Sequence, residues 1–367
     1  MANTQTIAAL RPEIWQKELY KDVIDNLWFE NKNMIGRDDN NIIQIKDELA
    51  KEQGDTVTFG LSAKLSGDGV NADNELEGNE EAIDSYSESV LIDQKRFGVR
   101  LKGKLDEQKA SYDMRMDAKN KLGIRLSEFM ERQYFMKLGG VTSTDLQDVN
   151  GTVYSTDATW SNSAPIVPAA DEAAGTGDRY LCADSDGLDS LAATDVLTLD
   201  LITRIKAKAQ LSSPKIRPLK INGEDIWVLL VHPWQGADLK SAAGNWSLIQ
   251  REAQVRGDKN PIFSGALGLY NGVVIHEHEY VPTCQAAADF SPGATAAGVQ
   301  AFRSLLCGRQ AATTAETKHS KFFVEKPGFD YFNKIGYATG FIGGIQKPAF
   351  NSLDYGVIAL DTGATAL

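Results

Sequence analysis

The feature that most restricts the fold of this chain is a proline-free stretch of some 33 residues, from about Asp106 to Leu138, rich in Lys, Glu, Met, Leu and Arg and stopped by Gly139-Gly140. Composition and length together predict one helix, which at about 1.5 Å rise per residue is a rod of about 50 Å. Tyr112, Met116, Leu122, Leu126, Phe129 and Met130 share one broad face, with Ile124 and Phe135 almost opposite. A helix patterned in this way lies across a sheet and is touched on a second side as well. Gly123, in its interior, costs about 1 kcal/mol relative to alanine, which a close backbone crossing or a kink would explain.

The flanking segments read as a different kind of element. A first helix is predicted from about Pro12 to Phe29, since proline suits the first helical position and Trp15, Leu19, Val23 and Leu27 recur every fourth residue. In GDTVTFGLSAKL, Val57, Phe59 and Leu61 alternate with polar or small residues, as in a half-buried strand. A partner strand is read in SVLIDQKRFGVRLKG, with Val90, Ile92, Phe97, Val99 and Leu101 as its apolar members. Between them sits GDGVNADNELEGNEE, so the unit is expected to be a long β-hairpin with a polar, Gly- and Asn-rich tip.

Beyond the long helix, 141–189 is rich in Gly, Ser, Thr, Ala and Asp and is expected to form surface loops with short strands. A second amphipathic helix is predicted from Thr198 to Leu211, a buried strand in IWVLLVHP ending at Pro233, a helical turn or two in WQGADLKSAAG, and another strand in GVVIHEHEYV. The C-terminal KFFVEKPGFDYFNKIGYATGFIGGIQKPAF reads as paired strands with glycines where they bend. No repeat of fixed period is present, and the class is α+β.

Charge narrows the functions available. Lys plus Arg total 38 against 50 Asp plus Glu, a net −12, which opposes a broad nucleic-acid clamp. The acidity is local: 65–94 holds nine acids and no base, and 138–203 holds eleven acids and one base, Arg179. These segments carry −9 and −10, leaving +7 for the rest of the chain. Cys182, Cys284 and Cys307 are far apart and form no CxxC pair, so reduced thiols are expected, with neither a disulfide framework nor a zinc site. No signal-peptide pattern and no run of about 18 apolar residues occurs, so a soluble chain without a membrane partner is expected.

Catalytic motifs fail at defined positions. GVRLKGKL, Gly98 to Leu105, has the glycine and lysine spacing of a phosphate loop, yet Leu105 stands where a magnesium-binding Ser or Thr is needed. It reads better as a strand end with basic residues. His276 and His278 would share a strand face and could hold a metal with His232, His319 or an acid, although ordinary, partly exposed strand histidines are the plainer expectation. Aligning Asn71, Asp73 and Glu75 with the first ligands of a calcium loop puts Leu76 at its glycine and Ala82 at its glutamate. No GxSxG elbow occurs. Catalytic, cofactor and metal residues are therefore expected to be absent. What remains is interaction chemistry: an arm-like N-terminal helix carrying Trp15, an acidic tip with Asp73, Glu77, Glu80 and Glu81, and an outgoing strand with Lys95, Arg96, Arg100, Lys102 and Lys104 and no acid. A charge dipole along one projecting element suits head-to-tail contact between identical copies.

The order of these elements, together with the strings GDTVTFGLSAKLSGDGV, ELEGNEE, IDQKRFGVRLKGKLDEQ, VHPWQGADLK, NPIFSGALG and GVVIHEH, resembles the major capsid proteins of tailed bacteriophages, with their Johnson-type fold. The resemblance implies an N-terminal arm over 1–50, an E-loop hairpin over 51–104, and a spine helix of the peripheral domain over 105–140. It further implies an axial domain with peripheral connections over 141–320, including a variable surface loop near 141–189, and C-terminal peripheral strands over 321–367. The implied function is assembly into pentamers and hexamers of an icosahedral shell around double-stranded DNA, the hairpin of one subunit overlapping a neighbour's spine helix and peripheral sheet. Implied partners are further copies of the chain, a separate scaffold, a portal, decoration proteins and the packaged DNA as a weak neighbour, within a virion assembled in the host bacterial cytoplasm. Some relatives crosslink through an E-loop lysine; 65–94 has none, so a non-crosslinked shell is expected. The alternatives are an encapsulin-like compartment or another self-assembling shell, and lastly an enzyme.

Overall fold

The computed structural model describes residues 27–47, 54–62, 65, 69–72, 74–83, 85–109, 113–140, 160, 179–184, 191–192, 194–221, 223–241, 266–283, 300–350 and 353–364. Most of the predicted first helix, Pro12 to Phe29, lies outside them; Leu27, expected on its apolar stripe, is extended and caps a separate short helix, α1, Trp28–Asn31. The long rod is divided. Gly103, at φ 151°, opens α2, Lys104–Lys109, and the main helix α3 runs Met114–Gly139. The reason is local: the Asp113 carboxylate accepts the Arg115 and Met116 N–H groups at 2.9 and 3.3 Å, an N-cap that starts a new helix. Arg115 donates twice to Glu107 and so joins the two helices. Gly140, in the left-handed region at φ 62°, closes α3 where the paired glycines predict.

Two sheets enclose α3. The first has the order β1-β2-β12-β13-β5, from Ile35–Gly36, Ile43–Lys46, Ala312–Phe329, Lys334–Gln346 and Asp93–Arg100. The second has the order β6-β16-β11-β8-β10-β9, from Tyr180–Cys182, Val357–Ala364, Gln300–Cys307, Glu224–Val231, Val273–Glu277 and Gly268–Tyr270, with β7, Leu219–Ile221, paired to β8. The central strands of the second sheet are apolar on both faces. In β8, Val228 and Leu230 belong to the core that contains α3. Trp227, Leu229 and Val231 meet the opposite layer, where α4, Leu199–Leu211, supplies Leu201, Ile202, Ile205 and Ala209 and α5, Pro233–Ser241, supplies Leu239. Continuous apolar strands follow from that two-sided burial.

Burial along α3 changes with position. Leu122 and Leu126 face inward, Met116 and Ile124 stay exposed, and every residue from Phe129 to Gly140 is buried. Met116 therefore departs from its expected place on the buried face, because the first half of the helix has a sheet on one side only. Tyr134 Oη pairs with Thr314 Oγ1 of β12 at 2.8 Å, and Arg303 of β11 reaches the Gly139 carbonyl at 3.5 Å. Arg303 also forms a buried two-bond pair with Asp361 of β16, both at 2.9 Å.

The segment 141–189 is not wholly a surface loop. Trp160 is buried against Phe129 and Phe341, Arg179 is fully buried, and β6 pairs in parallel with β16. Its polar composition masked these few anchors. Cys182 and Cys307 are buried free thiols; Cys284 lies outside the described residues.

Asp361→Asn leaves the Arg303 guanidinium buried beside a neutral partner and is expected to cost about 3–5 kcal/mol of unfolding free energy in a denaturant titration. Asp113→Ala, at an exposed cap, is expected to cost about 1 kcal/mol. Equal losses would show that the buried pair is not a special joint between β11 and β16.

Candidate assembly surfaces

The projecting hairpin is built from β3, Thr56–Ser62, and β4, Ser85–Leu91, in a register running from Thr56 opposite Leu91 to Ser62 opposite Ser85. Its root is anchored: Val57 and Val90 are buried with Ala315, and Phe59 meets Phe350 edge-on at 5.9 Å. Farther out most described residues are exposed, with Leu61, Val70 and Tyr86 half-buried. Glu75, Glu77, Glu80 and Glu81 carry the charge, and Leu76 and Ile83 stand beside them at 60% and 68% exposure. The Gly78 N–H donates to Glu80 at 2.7 Å, with Gly78 at φ 89° in a turn that favours glycine. Trp15 and Asp73 lie outside the described residues.

The basic residues are elsewhere. The segment read as one partner strand is two: β4 pairs with β3, while β5 leaves the hairpin and pairs antiparallel with β13, Arg100 opposite Gly336 and Asp93 opposite Gly343. Acidic tip and basic strand thus belong to different elements, which corrects the expected dipole along one ribbon. Ile92, whose N–H donates to the Asp55 carbonyl at 2.7 Å, is the residue at the switch. Arg96 and Arg100 are exposed on β5, the end strand of its sheet, and half-buried Lys95 places Nζ 5.7 Å from the Phe129 ring. Lys102 and Lys104 are exposed beyond it. Charge on an end strand guards its open hydrogen-bonding groups against indiscriminate pairing. The antiparallel pairing also removes the strand–helix context that a phosphate loop needs.

Sequence reasoning missed the adjoining end of the same sheet. At the β12–β13 turn, Asp330, Tyr331 and Phe332 all have positive φ, 53°, 50° and 65°, and Tyr331 is 99% exposed. Three consecutive left-handed non-glycine residues are strained. Asn333 holds the turn through its Oδ1 contact with the Lys104 N–H at 3.4 Å, and Arg100 lies 5.4 Å from the Phe329 ring. Exposed Leu105 and Val99 complete a cationic and apolar sheet end. The PGFDYFN sequence was a possible signal, but it read as strand.

A third feature fastens the chain where it emerges from 1–26. The Trp28 N–H donates to Glu131 Oε1 of α3 at 2.5 Å, and the Trp28 ring meets His276 and His278 edge-on at 5.5 and 4.9 Å. Both histidines are largely buried rather than partly exposed, because α1 and α3 cover them: His278 stacks on Phe135 at 4.6 Å. The Tyr280 N–H donates to His278 Nδ1 at 3.1 Å, so the neutral ring carries its proton on Nε2, facing Glu131 Oε2 at 3.8 Å. Burial pushes the Glu131 carboxyl up to about 7 against the opposing Trp28 hydrogen bond, with Glu279 and Glu128 adding to the rise and Arg132 resisting it. Burial pushes His278 down to about 3 and His232 down to about 4. Among the described residues no three His, Cys, Asp or Glu side chains converge as a metal site requires.

Two sheets packed on one long helix, with exposed ribbons and turns, define a protein of the α+β class. A family model described as "Phage capsid protein" matches residues 4–366. The major capsid protein of Pseudomonas phage KPP25 is 30% identical over 365 residues, covering 94% of this chain and 93% of that protein. Among solved structures, the capsid of Ralstonia phage GP4 superposes with a TM-score of 0.79 at 31% identity, covering 93% of this chain and 92% of that one. The cyanophage Pam1 capsid, at TM-score 0.70 and 24% identity over 91% and 92% of the two chains, shares the fold. The chain belongs to the phage capsid protein family. It is a major capsid protein with the Johnson-type fold, a shell-building component of the virion.

The Glu131 junction carries a pH dependence of definite sign. A carboxyl whose folded pKa lies near 7, above its ordinary 4.5, stabilises the fold below about pH 4.5 and loses that contribution as pH rises through 7. The stability difference between the native chain and Glu131→Gln is expected to shift against the native chain by about 3 kcal/mol from pH 4.5 to 8, read by denaturant titration at each pH. A difference constant across that range would show that Glu131 is already ionised in the fold.

Proposed function

We propose that copies of this chain form pentamers and hexamers that tile an icosahedral shell around double-stranded DNA, with the acidic hairpin of one subunit clasping the sheet end of its neighbour. The observation that carries the reading is a matched pair of surfaces. One presents Glu75, Glu77, Glu80 and Glu81 around exposed Leu76 and Ile83. The other presents Arg96, Arg100, Lys102 and Lys104 around exposed Val99, Leu105, Tyr331 and Phe332. Carboxylates meet cations while apolar groups leave water together, so both terms favour the same alignment. The exposed arc of α3, with Met116 and Ile124, extends the acceptor surface along the helix.

The two surfaces are unlike, so the contact is heterologous and forms rings where the rotation closes. In this reading 1–50 is the arm, 51–104 the E-loop with its return strand, 105–140 the spine helix, 141–320 the axial domain and its connections, and 321–367 the terminal peripheral strands. Trp15 and Asp73 belong to the arm and loop contacts. The protein works by assembly rather than by turnover, in the host bacterial cytoplasm, with a separate scaffold and a portal. The absence of lysine from 65–94 supports a shell that is not crosslinked through this loop.

Removing 69–83 is expected to leave a folded subunit, by circular dichroism and melting, that forms no closed shells in electron microscopy; normal closure would exclude the hairpin as clasp. Charge reversal at Arg96 and Arg100 is expected to weaken assembly, read by light scattering, more at low than at high salt, because exposed charges are screened within about 10 Å at 0.1 M. A salt-independent defect would instead assign these positions to packing. Closed particles that lack DNA throughout an infection would favour the compartment reading.

A further inference from the structure

Residues 201–223 hold six cations, Arg204, Lys206, Lys208, Lys215, Arg217 and Lys220, and no acid. Three are engaged within the fold. Arg204 pairs with Asp200 at 2.7 Å, Lys206 binds the Asn271 carbonyls, and Lys208 binds the Tyr180 carbonyl. Lys215, Arg217 and Lys220 are exposed, and among the described residues none forms an ion pair within 4 Å. Their outward direction is built in: the intervening Ile216, Leu219 and Ile221 are buried in the core.

The segment is also held rigidly. Asn40 brackets the Lys220 backbone, accepting its N–H at 2.8 Å and donating to its carbonyl at 2.7 Å. The Arg309 N–H donates to the Arg217 carbonyl at 2.9 Å, and a Cβ on Gly308 would lie 2.4 Å from that same oxygen, so glycine permits the close approach. Arg309 thereby joins Arg217. Partial burial, and to a lesser degree the positive charge of Arg309, hold the Arg217 guanidinium below its ordinary value, with Asp39 acting the other way. Arg217 donates to the neutral Gln310 amide oxygen at 2.6 Å, and the buried Arg309 Nε has no partner among the described residues. Across β7–β8, Asp225 lies opposite Lys220 and Glu224 opposite Ile221, and Asp38 and Asp39 directly precede Asn40.

We propose that Lys215, Arg217, Lys220 and Arg309 form a phosphate-contacting strip that meets the backbone of packaged nucleic acid. This inference rests on the shell reading above and adds which side of the subunit faces inward. A neighbouring acidic hairpin is the poorer occupant, since it brings Leu76 and Ile83 and needs several apolar partners, whereas Ile216 and Leu219 between these cations are buried, Pro218 is half-buried, and Leu211 is the one large exposed apolar side chain that precedes them in 201–223. A polyanion without apolar groups suits the strip, and contacts of this kind position a duplex without reading its sequence.

The test uses full-length subunit and a fluorescein-labelled 30-base-pair DNA duplex, titrated at several salt concentrations. Lys215→Gln/Lys220→Gln, which removes two side chains without a hydrogen bond in the described structure, is expected to flatten the slope of log K against log salt by about 1.8, and adding Arg217→Gln by about 2.7. Lys215→Arg/Lys220→Arg is expected to keep the native slope. Shell formation, scored by electron microscopy, is expected to persist in all variants. An unchanged slope in the neutral variants overturns the proposal. Loss of shells with an unchanged slope also overturns it and assigns the strip to subunit contact. Failure of the native chain to form shells would count against the shell reading itself, independently of the slopes.

Discussion

Burial of the second half of α3 on all sides is the constraint on which the rest of this structure depends. From Phe129 to Gly140 no face is left to water, so each side chain must be met by a partner of matching chemistry. The apolar ones find Phe29, Trp160 and Phe341; Tyr134 finds Thr314, and the end of the helix finds Arg303. These partners come from α1, β11, β12, β13 and a loop, so one buried rod forces distant parts of the chain into fixed relation. Arg303 has a double role, since it meets a helix end whose carbonyls favour a cation and pairs with Asp361 across β11 and β16. A rigid joint of this kind lets a hairpin rooted on β12 and a turn at the far end of the same sheet act as parts of one body.

The division of the hairpin's return strand follows from that geometry. β4 is needed to complete the ribbon, and β5 is needed to cover the open edge of β13 beside α3. A single straight strand cannot serve both. The switch at Ile92 therefore separates carboxylates from cations in space although they adjoin in sequence. Intramolecular neutralisation would leave both surfaces satisfied; separation is what the proposed contact between copies requires.

Much of this was legible in the chain. The helix stop at Gly139-Gly140, the amphipathic helix after Thr198, the apolar strand ending at Pro233 and the paired C-terminal strands all follow from local chemistry that the fold respects. What was not legible depended on non-local competition. Asp113 looked like an ordinary polar position in a helix, yet its carboxylate gains more by capping a new one. The alternation of SVLIDQKRFGVRL is the same whether the strand pairs with β3 or β13, so pattern alone cannot locate the switch. Trp160, Tyr180 and Cys182 were hidden within a polar stretch, and Tyr331 and Phe332 read as part of a strand, whereas they form an exposed left-handed turn. His276 and His278 alternated as surface positions would, but α1 and α3 close over them.

The distribution of interaction strengths suits a subunit that must be stable alone and reversible in company. Inside, the joints are buried ion pairs and hydrogen bonds, whose disruption costs several kcal/mol. Outside, in the assembly proposed above, the ionic contacts lie on exposed loops and strand ends, where each is worth about 0–1 kcal/mol and is weakened by salt. One such contact cannot hold two subunits, but in a closed ring every subunit is held from two sides, and each further contact forms at the effective concentration set by those before it. Weak individual joints then allow wrongly placed copies to leave, while closure stabilises the ones that fit. The net −12 has its place in the proposed scheme: a net charge of one sign opposes indiscriminate association of free subunits, and the proposed contact of acidic and basic surfaces supplies the local complementarity that offsets it.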